Sequence, residues 1–141
     1  LLRLSLQDAR ELARQNLARV GMAHIADKHA ADLTFPEKAL VEMARALCTQ
    51  PKVVLLDEVM AALNHAEMDQ VLALIRKLRE QDGLTFVVIE HHMRAIMNLC
   101  ERILVLSFGQ LIAQGTPQDI SRNPDVISAY LGSDTHAGVH A

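Results

Sequence analysis

Two uninterrupted apolar runs, Val53-Val54-Leu55-Leu56 and Phe86-Val87-Val88-Ile89, constrain this chain more than any other feature. Both are strand-sized. A strand without polar alternation is one covered on both faces, the usual condition of a parallel sheet. Parallel neighbours need a crossover, and a helical segment lies between the runs. Asn64-His65-Ala66-Glu67 caps its start, Val71, Leu74, Ile75 and Leu78 form its apolar stripe, and Asp82-Gly83 stops it. Upstream, Ser5-Leu6-Gln7-Asp8 opens a helix with Leu12, Asn16, Leu17 and Val20 near one face, stopped by Gly21. Thr34-Phe35-Pro36-Glu37 opens another, with Leu40, Met43, Ala44 and Leu47 at half-buried helical spacing, ended by Pro51. His24 to Ala31 is ambiguous. A short helix from Met93 to Leu99 leads to a third strand, Ile103 to Leu106, which Phe108-Gly109 turns into a companion near Leu111 to Ala113. Thr116-Pro117 and Asn123-Pro124-Asp125 start two small helices, and the tail from Ser133 is expected to be mobile. This order predicts an α/β domain with a mostly parallel sheet and flanking helices. A compositional shift near Leu33 separates an all-helical start from the α/β body.

The 141 residues are half hydrophobic and 22% charged, with a net charge of −3, which is a globular balance. No basic run or aromatic–basic interleaving marks a nucleic-acid partner. No apolar stretch approaches the roughly 20 residues that span a bilayer, and no signal peptide opens the chain. Cys48 and Cys100 lack metal-ligand spacing and read as buried, reduced thiols, in keeping with a cytoplasmic protein. The chain begins at Leu1 without an initiator Met, so a piece of something longer is expected.

In an open parallel sheet, ligands bind beyond the carboxyl ends of the strands. Asp57 and Glu58 follow the first apolar run; Glu90, His91 and His92 follow the second. Adjacent strands would bring two carboxylates and an imidazole to one cleft. An acidic pair after a four-residue apolar strand is the Walker B pattern of phosphoryl-transfer ATPases. The first carboxylate there holds Mg²⁺, directly or through water, and the next polarises the attacking water. A nearby imidazole can donate to the terminal phosphate. A metallohydrolase fits less well, because adjacent His91 and His92 on regular backbone cannot both point into one site. The phosphate cradle G-x-x-x-x-G-K-[ST] is missing: none of the six glycines precedes a lysine. Alone, the chain is expected not to bind ATP tightly.

These motifs, in order, resemble the ATP-binding subunits of ABC transporters, in particular those of branched-chain amino-acid uptake systems. The resemblance runs from about Leu6 to Gly132. Leu33 to Glu37 falls at the signature motif, followed by Met43-Ala44-Arg45-Ala46-Leu47. Val53 to Glu58 matches Walker B, Ala61 to Asn64 the D-loop, and Ile89 to Met93 the switch segment, where His91 aligns with the switch histidine. Gly109, Gly115-Thr116-Pro117, Asn123 to Ile127 and Ala129 to Gly132 match that group's C-terminal end.

The resemblance implies ATP and Mg²⁺ as cofactors, in a site shared by two ATPase subunits facing head to tail. Glu58 would be the general base, Asp57 the magnesium residue and His91 the γ-phosphate sensor. Thr34, Phe35, Pro36 and Glu37 would touch nucleotide across the dimer, and Asn64 would lie at its seam. Transmembrane permease subunits are the other implied partners, with the chain peripheral on the cytoplasmic face of the membrane and no nucleic acid involved. Residues 1–32 would end the helical subdomain, 33–132 would be the C-terminal part of the ATPase core, and 133–141 the tail. There are departures. Thr34-Phe35-Pro36 replaces the usual Ser-Gly-Gly, a Leu-Thr-x-Pro form that recurs in some branched-chain-type subunits, and Pro36 has no N–H to donate. Val59 stands for the usual Pro, and Ala62 for the D-loop Gly. Phosphate loop, base-stacking aromatic and Q-loop are absent. Two other readings remain: a truncated or degenerate module that only docks on partners, and a non-transport P-loop ATPase such as a DNA-repair type.

Overall fold

The computed structural model describes residues 5–131, which divide into two compact units between His92 and Met93. The expected tail from Ser133 lies outside the described residues. In the first unit, α1 (Leu6–Arg19) begins at a capping box in which Ser5 and Asp8 satisfy each other's free amides. It ends as expected: Val20 caps it and Gly21 takes a left-handed φ of 77°. Asn16 is buried on α1; its amide donates to the Leu12 carbonyl at 2.9 Å and its oxygen accepts from Arg19. Arg19 reaches on to Asp82 at 2.8 Å. The ambiguous stretch after α1 forms two single turns of 3-10 helix, Ala23–Ile25 and Ala30–Asp32.

Helix α2 (Phe35–Leu47) packs against α1 and starts at the Thr34–Glu37 capping box with Pro36 in the first turn. It buries Met43, Ala44 and Leu47. Strand β1 (Val53–Asp57) pairs in parallel with β2 (Thr85–Ile89), Val53 opposite Thr85 and Asp57 opposite Ile89. The crossover between them is α3 (His65–Asp82), capped by Asn64 and Glu67 and stopped by left-handed Gly83. Met68, Val71, Leu72, Ile75 and Leu78 of α3 are buried.

One expectation is corrected here. The apolar runs predict strands covered on both faces, but only one face of this pair is. Val54 and Leu56 are buried, whereas Val53, Leu55, Val87 and Ile89 lie exposed on the other face, Leu55 at 75%. The cause is the strand pleat, which sends alternate side chains to opposite faces, so that Val54 and Leu56 go to the buried side and their neighbours to the other.

The second unit holds α4 (Met93–Leu99), an antiparallel hairpin of β3 (Ile103–Ser107) and β4 (Gln110–Gly115), and the short helices α5 (Pro117–Arg122) and α6 (Pro124–Val126). Ile127–Leu131 closes it as a wide π-type turn. The hairpin turns at Phe108 and Gly109, both with positive φ, and carries a register shift between Val105 and Leu106. Gly115 is required by close approach, since a Cβ there would sit 2.9 Å from the Cβ of Asp119, the residue that closes the Thr116 capping box on α5. The described residues are therefore α/β, with one parallel and one antiparallel strand pair. No helix among them is long and apolar enough to cross a membrane. Neither Cys48 nor Cys100 is in a disulfide, and both are half-buried rather than fully so.

Candidate functional site

Parallel register is what assembles the site. With Asp57 opposite Ile89, the residues just past β1 and β2 leave the sheet at the same level. The Glu58 N–H continues the ladder by donating to the Ile89 carbonyl at 2.9 Å, and the Glu58 carbonyl accepts from Ala61 N–H at 3.2 Å. Between these two bonds Glu58 adopts a left-handed φ of 49°, a region that costs a non-glycine residue energy and persists only where the surroundings impose it. The kink ends the strand alternation. It leaves Glu58 Oε1 3.6 Å from His91 Nδ1, with both side chains more than half exposed. Asp57 is exposed at the end of β1 beside them. Two carboxylates and an imidazole thus occupy one open sheet edge.

A buried acid supports that edge from below. The Glu90 side chain is wholly inaccessible; its Oε1 accepts from Met60 N–H at 2.8 Å, and its Oε2 lies 3.4 Å from His92 Nδ1. Met60 is itself fully buried, so Glu90 satisfies an amide that water cannot reach. The bond fastens the loop after Glu58 to the segment after β2. Sequence reasoning places Glu90 at this edge but gives it no role. The available signal was its position, one residue past a strand, with the turn at residues 59–62 bonded to it through Met60.

The expectation that His91 and His92 cannot share a site also needs correction. Their ring centroids are 4.5 Å apart at an interplanar angle of 31°. The premise of regular backbone fails, because residues 90–92 lie outside any helix or strand, with a bend at His91.

Thr34, Phe35, Pro36 and Glu37 form a separate cluster at the start of α2. Thr34 N–H donates to Glu37 Oε2 at 2.7 Å, and Glu37 N–H donates to Thr34 Oγ1 at 3.4 Å. Lys28 Nζ donates to both Glu37 carboxylate oxygens, at 3.0 and 2.8 Å. Hydrogen bonding from Lys28, then from the Thr34 amide, holds the Glu37 carboxyl below the usual carboxylate range. Phe35 is 59% exposed. Lys28 was not foreseen, because its segment carries no periodicity. Asn64 caps α3, its Oδ1 accepting from Glu67 N–H at 3.0 Å and its own N–H donating to Glu67 Oε2 at 2.9 Å.

Carboxylate oxygens are the donors that Mg²⁺ prefers. Asp57 and Glu58, exposed and side by side, fit one flank of a magnesium–nucleotide complex. The amides and lysine of a phosphate cradle are not in this chain.

The fold is that of ATP-binding cassettes. Residues 5–61 match the family model described as ABC transporter, and residues 110–136 match the one for branched-chain amino acid ATP-binding cassette transporters. The chain is 27% identical to MJ1267, an ATP-binding cassette of an ABC transporter solved in its ADP conformation, with a TM-score of 0.81 over 94% of this chain and 54% of that one. The structure of cbiO1 from Clostridium perfringens, part of the ABC transporter complex cbiONQ, gives a TM-score of 0.78 at 26% identity, covering 96% of this chain and 55% of that one. The chain belongs to the ABC transporter family of ATP-binding proteins.

Its relatives are more specific. It is 40% identical over 130 residues to the high-affinity branched-chain amino acid transport ATP-binding protein BraF of Pseudomonas aeruginosa, covering 92% of this chain and 51% of BraF. It is 39% identical over 125 residues to LivG of Escherichia coli, named for the same transport role, covering 89% of this chain and 49% of LivG. The methionine import ATP-binding protein MetN of Bordetella avium follows at 34% over 125 residues, 87% of this chain and 34% of MetN. The chain spans about half the length of BraF and LivG.

Proposed function

We propose that this chain is the C-terminal part of an ATP-hydrolysing subunit that powers amino-acid import, of branched-chain type, from the cytoplasmic face of the membrane. The observation that carries the reading is the Glu58–His91 pair at 3.6 Å on the open edge of a parallel sheet, with Asp57 beside it.

The chemistry follows from what these groups can do. Magnesium-bound ATP, when present, supplies a phosphorus centre whose charge the metal partly neutralises. Asp57 would hold the metal, directly or through water. Glu58, held in a left-handed backbone conformation, accepts a proton from the attacking water. His91, 3.6 Å from Glu58, donates toward the terminal phosphate. Glu90 fixes the positions of both loops through Met60. The N-terminus of α2 belongs to the reading as the nucleotide contact made across a dimer, through Thr34, Phe35, Pro36 and Glu37, with Asn64 at the seam. Residues 1–32 complete a helical subdomain, 33–132 the C-terminal part of the core, and the phosphate cradle comes from sequence outside this chain. A second ATPase subunit and membrane-spanning permease subunits are the partners; nucleic acid is not.

The test is ATP turnover by the complete protein carrying His91→Ala. Loss of a donor to a developing phosphate charge lowers kcat by about a hundredfold or more. Turnover within twofold of wild type would remove the pair from the mechanism.

A further inference from the structure

Past β2 the chain gathers three metal-ligating side chains that the hydrolytic reading uses only in part. One atom each from Glu90, His91 and His92 can be chosen such that all three lie within 4.8 Å of one another. In a tetrahedral zinc site, bonds of about 2.1 Å place neighbouring ligand atoms roughly 3.4 Å apart. The Glu90 Oε2 to His92 Nδ1 distance is 3.4 Å, already the length of such an edge. The set also has the outer support that real sites need. Glu90 Oε1 is fixed by Met60 N–H at 2.8 Å, which orients the carboxylate and leaves Oε2 as the ligand atom. A wholly buried carboxylate facing two imidazoles favours a cation, and imidazole with carboxylate suits zinc-class metals over magnesium. The His91 ring is more than half exposed, and its centroid lies 4.5 Å from that of His92.

We infer that Glu90, His91 and His92 form a three-ligand site for a divalent transition metal of the zinc class, whose occupancy draws His91 away from Glu58. The site itself stands on the cluster's geometry. Its consequence for turnover rests on the hydrolytic reading of His91. Metal in this site inhibits, because the imidazole that donates to phosphate is then a ligand.

The test is titration of the complete protein with Co²⁺ as a spectroscopic stand-in, followed by Zn²⁺ competition. Wild type binds one equivalent, with the intense visible absorption of a low-coordinate nitrogen–oxygen site. His92→Ala weakens binding by more than about tenfold, and His65→Ala, remote in sequence, does not. Equal titrations for wild type and His92→Ala would overturn the site. In parallel, Zn²⁺ lowers ATP turnover of wild type and leaves that of His92→Ala unaffected at the same concentration. Equal inhibition of both would overturn the coupling to His91. The hydrolytic reading fails differently: wild type supplied with Mg²⁺ and free of zinc-class metal would then show no turnover at all, while the Co²⁺ titration would keep its His92 dependence.

Discussion

Glu90 carries a structural demand that its neighbours in sequence do not reveal. It is an acid with no solvent contact, and one of its oxygens is the partner of a fully buried backbone amide, that of Met60. Glu90→Ala would strand that amide, at a cost of about 1–3 kcal/mol. Glu90→Gln keeps an acceptor in place and is expected to cost less. Denaturant unfolding of the complete protein, comparing the two variants with wild type, measures this. Equal stability of the alanine variant and wild type would show that the Met60 bond contributes nothing. At the same scale, Glu58 and His91 were legible as a pair because their spacing from two apolar runs is fixed by the sheet. The left-handed backbone of Glu58 was not. Glu gives no sign of positive φ, and the conformation is imposed by bonds to Ile89 and Ala61.

The elements were read well where local chemistry decides them. Ser5 with Asp8, Thr34 with Glu37 and Asn64 with Glu67 each form the capping box their spacing announces. Gly21 and Gly83 take the left-handed conformation expected of helix stops. Sequence reasoning failed where a long-range partner decides. Lys28 reaches nine residues along to Glu37 from a stretch with no period, and the second face of β1 depends on layers the pattern assumed. The Lys28–Glu37–Thr34 cluster carries a pH signature. Glu37's carboxyl is lowered in the folded protein, chiefly by the Lys28 hydrogen bond, so its contribution is present above the ordinary Glu range. That contribution disappears as pH falls through the lowered folded value. Thermal midpoints of wild type and Glu37→Gln should therefore differ most near neutrality and converge on acidification. Lys28 is one-third exposed, so added salt should narrow the gap. A gap that widens in acid would contradict the assignment.

On the scale of the molecule, the two units leave a good deal of apolar surface uncovered. Val53, Leu55, Val87 and Ile89 form an exposed face in the first unit, and Leu104, Leu106, Phe108 and Leu111 are exposed in the second. Contiguous apolar faces of this kind mark surfaces that another layer or partner covers. These 141 residues produced alone are accordingly expected to aggregate or remain molten, with native-like helix content and no sharp thermal transition. A cooperative calorimetric transition of a monomer would refute that. The α/β class was readable because two buried-type runs flank one amphipathic helix. The hairpin was readable as well, from its Phe108-Gly109 turn; that it would pair only with itself among the described residues was not, since strand length and spacing alone do not fix which strands become neighbours.

The central claim is that this edge hydrolyses ATP in the complete protein rather than serving only as a docking module. Steady-state ATP turnover of the complete protein, wild type against Glu58→Gln, tests it most directly. Removing the general base while keeping its shape should lower kcat by about a hundredfold to ten-thousandfold. A Glu58→Gln variant that turns over ATP like wild type, or a wild type with no turnover to lose, would contradict it.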